Sequence, residues 1–485
     1  MKMNHTLALS PMMIGLVLAG CSLAPHYEAP VVNIPTAFKE SSISENKDWK
    51  TAQPADDQSR GEWWKVFNDE TLNQLESQSL AENQNLKAAA AHLKASRALT
   101  QSVKSQWFPQ ISAGFGPTRQ KVSPASLGLA PDARTSAQTL WRDQATVSYE
   151  VDLFGRVASS VNAANADTEQ NEALFHSLQL ALQADVAQSY FLIRQLDAEQ
   201  KLYASTVQLR TQTLDLIQKR FDAGYTSELD LARAKAELSS AQADSFGISR
   251  SRADAEHALA LLLGKTPADF ALNQNPLASV NLVIPAGLPS SLLERRPDIA
   301  AAERAMAADN ARIGIARAAF FPSLNLTGAL GYESSQLSQL GSWSSRTFLL
   351  GPLAGTMLSL PIFDGGLRKA GVAQARANYE EDAAKYRQTV LNGFREVEDG
   401  LSDQRILSQQ LQAQEEAVQS ARRATALSHL RYQEGSISYL DVIEADNSVL
   451  LQERNAVQLN GDRARSAVSL IRALGGGWDG QVSVN

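Results

Sequence analysis

Two carboxylates lie three positions apart in the segment Leu440-Asp441-Val442-Ile443-Glu444. Residues three apart lie on the same face of a helix, so Asp441 and Glu444 are predicted to project from one side. Threefold symmetry would turn each of them into a ring of like charges. The alternative is an ordinary polar helix face in contact with water.

These acids follow one of two similar segments that carry a glycine where a helix would end. Arg220-Phe-Asp-Ala-Gly-Tyr-Thr-Ser-Glu-Leu-Asp230 reappears as Arg431-Tyr-Gln-Glu-Gly-Ser-Ile-Ser-Tyr-Leu-Asp441. Gly224 and Gly435 can take the left-handed conformation that stops a helix. Both segments are therefore predicted to be tips of helical hairpins.

Enzymatic chemistry finds little support in the chain. The six histidines are scattered without the spacing of metal ligands. Gly264-Lys265-Thr266 is similar to the end of a phosphate-binding loop, but the glycine required earlier is replaced by Leu259. No nucleophile and base are suitably arranged, so we expect neither catalysis nor a cofactor or metal.

The single cysteine, Cys21, is a candidate site of lipid attachment. Lys2 precedes an apolar run from Leu7 to Leu18, which is too short to span a bilayer and predicts a signal peptide. Leu18-Ala19-Gly20-Cys21 resembles a bacterial lipobox, in which the thiol is acylated and becomes residue one. We therefore expect an anchor in outer-membrane lipid at Cys21, since Ser22 rather than Asp follows it. The alternative is an ordinary cleavage site with an incidental cysteine.

The net charge of −7 and the pI near 5.6 argue against nucleic-acid binding, which needs a clustered basic surface.

The 485 residues would suggest about three domains. However, Gly224 and Gly435 are 211 positions apart, and so are Gly264 and Gly475. The chain is therefore predicted to be internally duplicated, which allows one elongated body.

Periodicity predicts the elements of each half. Proline is absent from about 156–223 and 367–434, and about 68 residues of helix extend on the order of 100 Å. Shorter returning helices are predicted over about 227–263 and 438–474. Alternating apolar residues from Asp143 to Leu153 indicate a strand with one apolar face. Three further strands are predicted, which gives two per half.

These elements define the predicted organisation of the chain. Its parts are a lipoprotein signal peptide (1–20), an extended lipid-anchored tether (21–60), a first repeat (61–264) with strands at about 110–122 and 143–154, a linker (265–289), a second repeat (290–475) with strands at about 322–333 and 347–363, and a C-terminal tail (476–485).

Strands of about ten residues can cross a bilayer at a tilt, and a membrane sheet must close so that no backbone edge faces lipid. Four strands cannot close, because about eight are the practical minimum. The fold class predicted is therefore mainly α with a membrane β-barrel. A homotrimer would close a twelve-stranded barrel with four strands per chain, continued by a long α-helical barrel.

Three motifs resemble those of one protein family. They are Gly287-Leu-Pro-Ser-Ser-Leu-Leu-Glu-Arg-Arg-Pro-Asp298-Ile, Phe320-Phe-Pro-Ser-Leu and Leu360-Pro-Ile-Phe-Asp-Gly-Gly366. The chain resembles the NodT/OprM branch of the TolC-like outer-membrane efflux lipoproteins along essentially its whole mature length. The resemblance implies a trimeric channel with a long periplasmic portion, joined to a periplasmic adaptor protein and an inner-membrane RND-type pump.

The resemblance also assigns candidate sites. The tips match the family's adaptor-contacting turns, at Gly224, Thr226 and Ser227 and at Gly435, Ser436 and Ser438. Asp441 and Glu444 match acids at the periplasmic constriction, and Asp230 and Tyr432 match positions near it. Ordinary helix–turn–helix chemistry is the alternative for the tips. Some relatives place a basic residue where this chain has Ile437, so a salt-bridge lock is not expected there.

The function predicted is a passive duct that exports small toxic molecules or drugs. The same duct could serve metal ions or secreted polypeptides. A lipid-anchored helical spacer without a pore is a second class, which would need no alternating strands.

Overall fold

A computed structural model describes residues 23–30, 34–35, 37–40, 61–130, 132–278, 282, 284, 291–351 and 357–476. The chain forms two compact units. Unit 1 comprises residues 1–30, 93–171 and 302–386, and unit 2 comprises 31–92, 172–301 and 387–485. The signal peptide and Cys21 lie outside the described residues, as do most of the tether, much of the linker and all of the predicted tail except residue 476. Their predictions remain predictions.

Eight α-helices occur in the described part of the chain. They are α1 Glu70–Glu82, α2 Gln84–Lys104, α3 Arg156–Asp222, α4 Glu228–Leu262, α5 Ser291–Arg295, α6 Pro297–Ala318, α7 Leu367–Gln433 and α8 Tyr439–Ala473. The bounds of α3 and α7 agree with the proline-free stretches to within one residue. Among the described helices, none is both long enough and apolar enough to cross a membrane.

Gly393 and Gly400 do not interrupt α7, although glycine has a low helix propensity. A Cβ at Gly400 would lie 3.1 Å from the Leu470 side chain of α8. A Cβ at Gly393 would lie 3.4 Å from the Arg296 guanidinium. These glycines therefore permit close packing within unit 2, and the contacts outweigh their low helix propensity.

Unit 1 contains one antiparallel sheet in the order β1-β2-β3-β4, with β5 also paired to β3. The strands are β1 Gln110–Gln120, β2 Gln138–Val151, β3 Ser323–Ser334, β4 Arg346–Leu350 and β5 Leu358–Ser359. Strand β2 begins five residues before the alternating pattern because its first residues pair with the end of β1. The strand predicted over 347–363 is two short pieces on β3, separated in part by residues that are not described.

The sheet has one apolar and one polar face. Paired residues share a face, and the pairs Ile111↔Val147, Ala145↔Leu330 and Leu330↔Phe348 place apolar side chains together. We call this surface the apolar face. The opposite face carries pairs such as Ser112↔Thr146 and Arg142↔Glu333. The apolar face is not buried within the chain, since Ile111, Leu330 and Phe348 are 77%, 69% and 79% exposed.

In unit 2 the shorter helices meet end to end at two places. After α4, the left-handed Gly264 lies so close to Glu82 that a Cβ would contact the Glu82 carbonyl. After α8, Gly475 is also left-handed, and a Cβ there would contact the Arg295 carbonyl. The duplicated glycines therefore end one helix beside the chain of another, where any side chain would clash.

The described parts of the N-terminal segment pack against helices. In unit 1, the Tyr27 hydroxyl donates to Glu303 Oε1 at 2.5 Å and Asn310 Nδ2 donates to the Pro25 carbonyl at 2.9 Å. In unit 2, Phe38 is 4% exposed and Glu40 pairs with Arg405 at 2.6 Å. These parts of the N-terminal segment therefore have specific contacts with helices distant in sequence, which the sequence pattern does not predict.

Candidate functional site at the hairpin tips

The first hairpin tip joins α3 to α4. Gly224 has a φ of 78°, and its N–H donates to the Phe221 carbonyl at 2.9 Å. The Tyr225 N–H reaches back to the Arg220 carbonyl at 2.8 Å. This pair of bonds satisfies carbonyls at the end of α3 and requires a left-handed residue at position 224, which glycine provides without strain.

The second tip, between α7 and α8, has the same geometry. Gly435 has a φ of 73°, and its N–H donates to the Tyr432 carbonyl at 3.0 Å. The Ser436 N–H donates to the Arg431 carbonyl at 2.9 Å. The sequence duplication therefore corresponds to two matching turns, and both hairpin predictions are confirmed.

Each returning helix begins with a serine cap. Ser227 Oγ accepts from the Asp230 N–H at 3.2 Å, and Ser438 Oγ accepts from the Asp441 N–H at 3.4 Å. In the second tip the Asp441 carboxylate also accepts from the Ser438 N–H at 2.8 Å, which completes a reciprocal capping box. These serines and aspartates therefore have a local structural role that the sequence analysis did not assign.

The two hairpin tips pack on each other within unit 2. Ile217, Leu231 and Ala234 of the first hairpin form one apolar cluster with Tyr439, Val442 and Ile443 of the second. Ile437 packs against this cluster. A cation–aromatic contact is present nearby, because the Arg220 guanidinium lies 5.2 Å from the centre of the Tyr432 ring.

The predicted contact residues lie at the surface of the tips. Gly224, Ser227, Gly435, Ser436 and Ser438 are exposed, and Thr226 is half-buried. The sequence analysis omitted Tyr225, whose side chain is 84% exposed at the first tip. Tyr225 lies directly beside the turn glycine, within the segment where the adaptor contact is predicted.

The predicted constriction acids share an exposed surface of α8. Asp441 and Glu444 are exposed, while Val442 and Ile443 between them are buried in the tip cluster. Hydrogen bonds from Ser438 lower the pKa of the Asp441 carboxyl below its ordinary value, so that this group stays charged at neutral pH. The arrangement of these acids around a symmetry axis remains a prediction.

Asp230 and Tyr432 lie elsewhere in the tip region. The Asp230 carboxylate accepts from the Thr226 and Ser227 hydroxyls, each at 3.0 Å, and lies 3.5 Å from Arg233. Tyr432 lies 5.7 Å from Tyr439, ring centre to ring centre. The Asp230 carboxylate is thus satisfied within its own hairpin.

Within the described residues, no cluster of His, Cys, Asp and Glu could hold a metal ion.

Replacing Ser438 with alanine is expected to destabilise the second tip by about 1 kcal/mol, because the cap of α8 is lost. The depressed pKa of Asp441 favours folding above about pH 4, the ordinary range of an aspartate, and this contribution disappears as the pH falls through the folded value. Amide hydrogen exchange at residues 436–445 should therefore be faster in the variant at pH 7. The difference between the two proteins should narrow on acidification but persist in part, because the bond from the Asp441 N–H to Ser438 Oγ does not titrate; equal exchange at pH 7 would show that the cap contributes nothing.

Comparison with known proteins agrees with this architecture. The sequence profile of the family described as outer membrane efflux protein matches twice, over residues 75–265 and 288–476. The solvent efflux pump outer membrane protein SrpC of Pseudomonas putida is 35% identical over 474 residues, which cover 96% of this chain and 98% of SrpC. The cation efflux system protein CusC of Escherichia coli is 32% identical, with 97% and 98% covered.

A solved structure of the outer-membrane channel OprN superposes with a TM-score of 0.84 and 30% identity, covering 94% of this chain and all of that one. These similarities extend over both repeats, so they concern the whole architecture rather than a single motif. They confirm the resemblance to TolC-like channels and the outer-membrane location predicted from the sequence. The chain belongs to the outer membrane efflux protein family.

Proposed function

We propose that this protein is the channel component of a tripartite efflux pump, a passive duct through which small toxic molecules or drugs leave the cell. The observation that carries the proposal is the sheet of unit 1, which exposes an apolar face and in which β1, β2 and β3 have membrane-crossing length. A water-filled pore needs an apolar surface toward lipid and a polar surface toward its lumen. The two faces of this sheet meet both requirements.

The sheet also needs further strands. In the described residues β1 pairs only with β2, and β4 pairs only with β3, so both have a free edge. Unpaired backbone groups are costly in hydrocarbon, and closure with other copies removes such edges. Three copies would give a twelve-stranded barrel, and the long helices α3 and α7 would continue it as a periplasmic α-helical barrel.

The hairpin tips are the proposed contact with a periplasmic adaptor, which would link the duct to an inner-membrane RND-type pump. Their exposed turns and the exposed Tyr225 support a protein-binding role. The pump supplies energy and selects cargo, so the duct itself needs no catalysis. Because CusC is named for cation efflux, metal ions are a second candidate cargo, and the exposed acids Asp441 and Glu444 are compatible with it.

We expect the purified lipidated protein in planar bilayers to give small, cation-selective currents. Rings of Asp441 and Glu444 would concentrate cations at the narrowest point. The variant Asp441→Asn/Glu444→Gln should therefore lose most of the preference for K⁺ over Cl⁻. Asparagine is chosen because its side-chain oxygen can still accept from Ser438, so that the charge changes without removal of the cap.

A matched control is Glu381→Gln/Asp382→Asn, which removes the same charge from two adjacent residues of α7 that pair with Lys385 far from the tip. Its selectivity should equal that of the original protein. Unchanged selectivity in the Asp441/Glu444 variant would place the constriction elsewhere. A correctly folded trimer that passes no current would overturn the duct and favour a spacer without a pore.

A further inference from the structure

We propose that the loop end of the apolar face binds the phosphorylated headgroup of lipopolysaccharide, with Arg346 as its principal phosphate ligand. The proposal rests on the proposed function, which places this sheet in the outer membrane with its helices on the periplasmic side. The end that carries the β1–β2 and β3–β4 loops then faces the outer leaflet, where lipopolysaccharide resides.

Aromatic side chains collect where the apolar face approaches these loops. The register places Phe115, Asp143, Tyr332 and Arg346 in one row across β1 to β4. Phe115 also stacks on Trp141 of the next row, with 5.8 Å between ring centres. Aromatic residues of membrane proteins concentrate at the level of lipid headgroups. This row therefore marks the height at which the apolar face meets polar surroundings.

Arg346 presents its guanidinium at that height. The Arg346 side chain lies against the Trp343 side chain, which is 81% exposed, and Nε donates to the Trp343 carbonyl at 3.4 Å. No carboxylate of the described residues lies within salt-bridge distance of Arg346. Arg346 is exposed, so its planar fork is available to match the oxygen atoms of a phosphate.

The charge of this region complements an anion although the chain as a whole is acidic. Residues 116–143 and 332–346 contain five basic side chains and three acidic ones among those described. The basic residues are Arg119, Lys121, Arg134, Arg142 and Arg346, and the acidic ones are Asp132, Asp143 and Glu333. Of these, Arg142 and Glu333 pair at 2.6 Å on the polar face. Arg119 lies on the apolar face, at the free edge formed by β1.

An apolar groove lies directly below Arg346 on the same face. Its volume is about 270 Å³, and the absent side chain of Gly328 opens it between Val147 and Leu350. The groove reaches Phe348, which is two residues, or about 7 Å of strand, from Arg346. An acyl chain in this groove would place the attached phosphorylated sugar beside the Arg346–Trp343 pair. Groove, aromatic row and arginine together fit a phosphorylated lipid with several acyl chains.

The test uses the full-length lipidated protein in detergent, stripped of bound lipid and titrated with purified lipopolysaccharide while complexes are counted by native mass spectrometry. Arg346→Gln should weaken binding about tenfold, which corresponds to one charge-assisted contact. Lipopolysaccharide with its lipid A phosphates removed should bind the original protein as weakly. The matched control Arg142→Gln/Glu333→Gln removes an arginine at the same end of the sheet but on the polar face, and it should bind normally.

Three results would overturn the proposal: equal affinity of the Arg346→Gln variant, an equal loss in the Arg142/Glu333 control, or indifference to the lipid A phosphates. A preference for phosphatidylglycerol in a parallel titration would also reject lipopolysaccharide as the ligand. Conductance of the same preparation separates this proposal from the proposed duct. If the original protein conducts but the Arg346→Gln variant binds lipopolysaccharide as tightly as the original, the lipid site is rejected and the duct is retained.

Discussion

Replacing Arg296 with alanine is expected to lower the unfolding free energy by about 3 kcal/mol, because it removes a buried guanidinium and leaves two partly exposed carboxylates without their partner. Arg296 is 7% exposed and contacts both oxygens of Asp298 at 3.0 and 2.7 Å. It also donates to Glu396 at 2.7 Å and to the Ala473 carbonyl at 3.1 Å. The value is at the lower end of those measured for buried pairs because both carboxylates are partly exposed.

The contact with Ala473 gives this arginine a particular position in unit 2. It caps the last turn of α8, where the helix dipole favours a positive charge. At the corresponding end of α4 in the first half, an asparagine takes this place, since Asn83 Nδ2 donates to the Leu262 carbonyl at 2.9 Å. The Arg-Arg-Pro-Asp motif, which carries part of the family resemblance, therefore has a structural function at one of two similar junctions.

Thermal unfolding followed by circular dichroism in detergent would measure the effect of Arg296→Ala. Arg405→Ala is the matched control, because Arg405 is 48% exposed, pairs with Glu40, and should contribute no more than about 1 kcal/mol. Arg296→Lys should fall between the two, since it keeps the charge but loses the fork. Equal losses at positions 296 and 405 would contradict the role assigned to burial.

Replacing Glu76 with glutamine is expected to stabilise the protein at neutral pH by about 3 kcal/mol. Glu76 is fully buried in α1, and neither of its carboxyl oxygens has a hydrogen-bond partner among the described residues. Burial raises the pKa of Glu76 to about 9, from an ordinary value of 4.5. The folded protein therefore keeps this carboxyl neutral at pH 7.

The sign of the pH dependence follows from this pKa. Below about pH 4.5 the carboxyl is protonated in both states and costs nothing by ionisation. As the pH rises from there toward 9, the unfolded chain releases a proton that the folded chain retains, so stability falls. The difference between Glu76→Gln and the original protein should therefore grow with pH and vanish near pH 4.5.

Unfolding midpoints measured from pH 4.5 to 8.5 would test this expectation. Glu70→Gln is a suitable control because Glu70 is exposed on the same helix, and its effect should stay within about 0.5 kcal/mol at every pH. A constant difference between the Glu76 variant and the original protein would show that the carboxyl has an ordinary pKa. Glu76→Leu should be at least as stable as Glu76→Gln, since it removes the unsatisfied polar atoms as well.

Much of the fold could be predicted because its elements are long and periodic. Helices α3 and α7 lack proline throughout, and two turn glycines mark the ends of the hairpins. The alternation through Ala145 and Val147 predicted the face of β2 correctly. The strand predicted over 347–363 was expected as one element, whereas β4 ends at Leu350 and β5 covers only Leu358–Ser359; the glycines and prolines of this segment were the local signal for such breaks.

The candidate site was predicted in part. The tips, their glycines and the shared face of Asp441 and Glu444 follow from local spacing. The exposure of Tyr225 was not considered, and the capping role of Asp441 was not separated from its proposed role at a constriction. Both roles use the same carboxylate, so sequence alone could not distinguish the local bond to Ser438 from an interaction across a symmetry axis.

The sequence by itself determined the duplication, the helical hairpins, the two-faced strands and the family, because each depends on neighbouring residues or on a fixed period. Only the tertiary structure decided the environments of Arg296 and Glu76. Glu396 is 100 positions and Ala473 is 177 positions from Arg296 in the chain. No local pattern reports such partners, nor that a glutamate on α1 would be buried without one. Burial and long-range pairing fix the energetics of these charges, and both arise when distant helices pack.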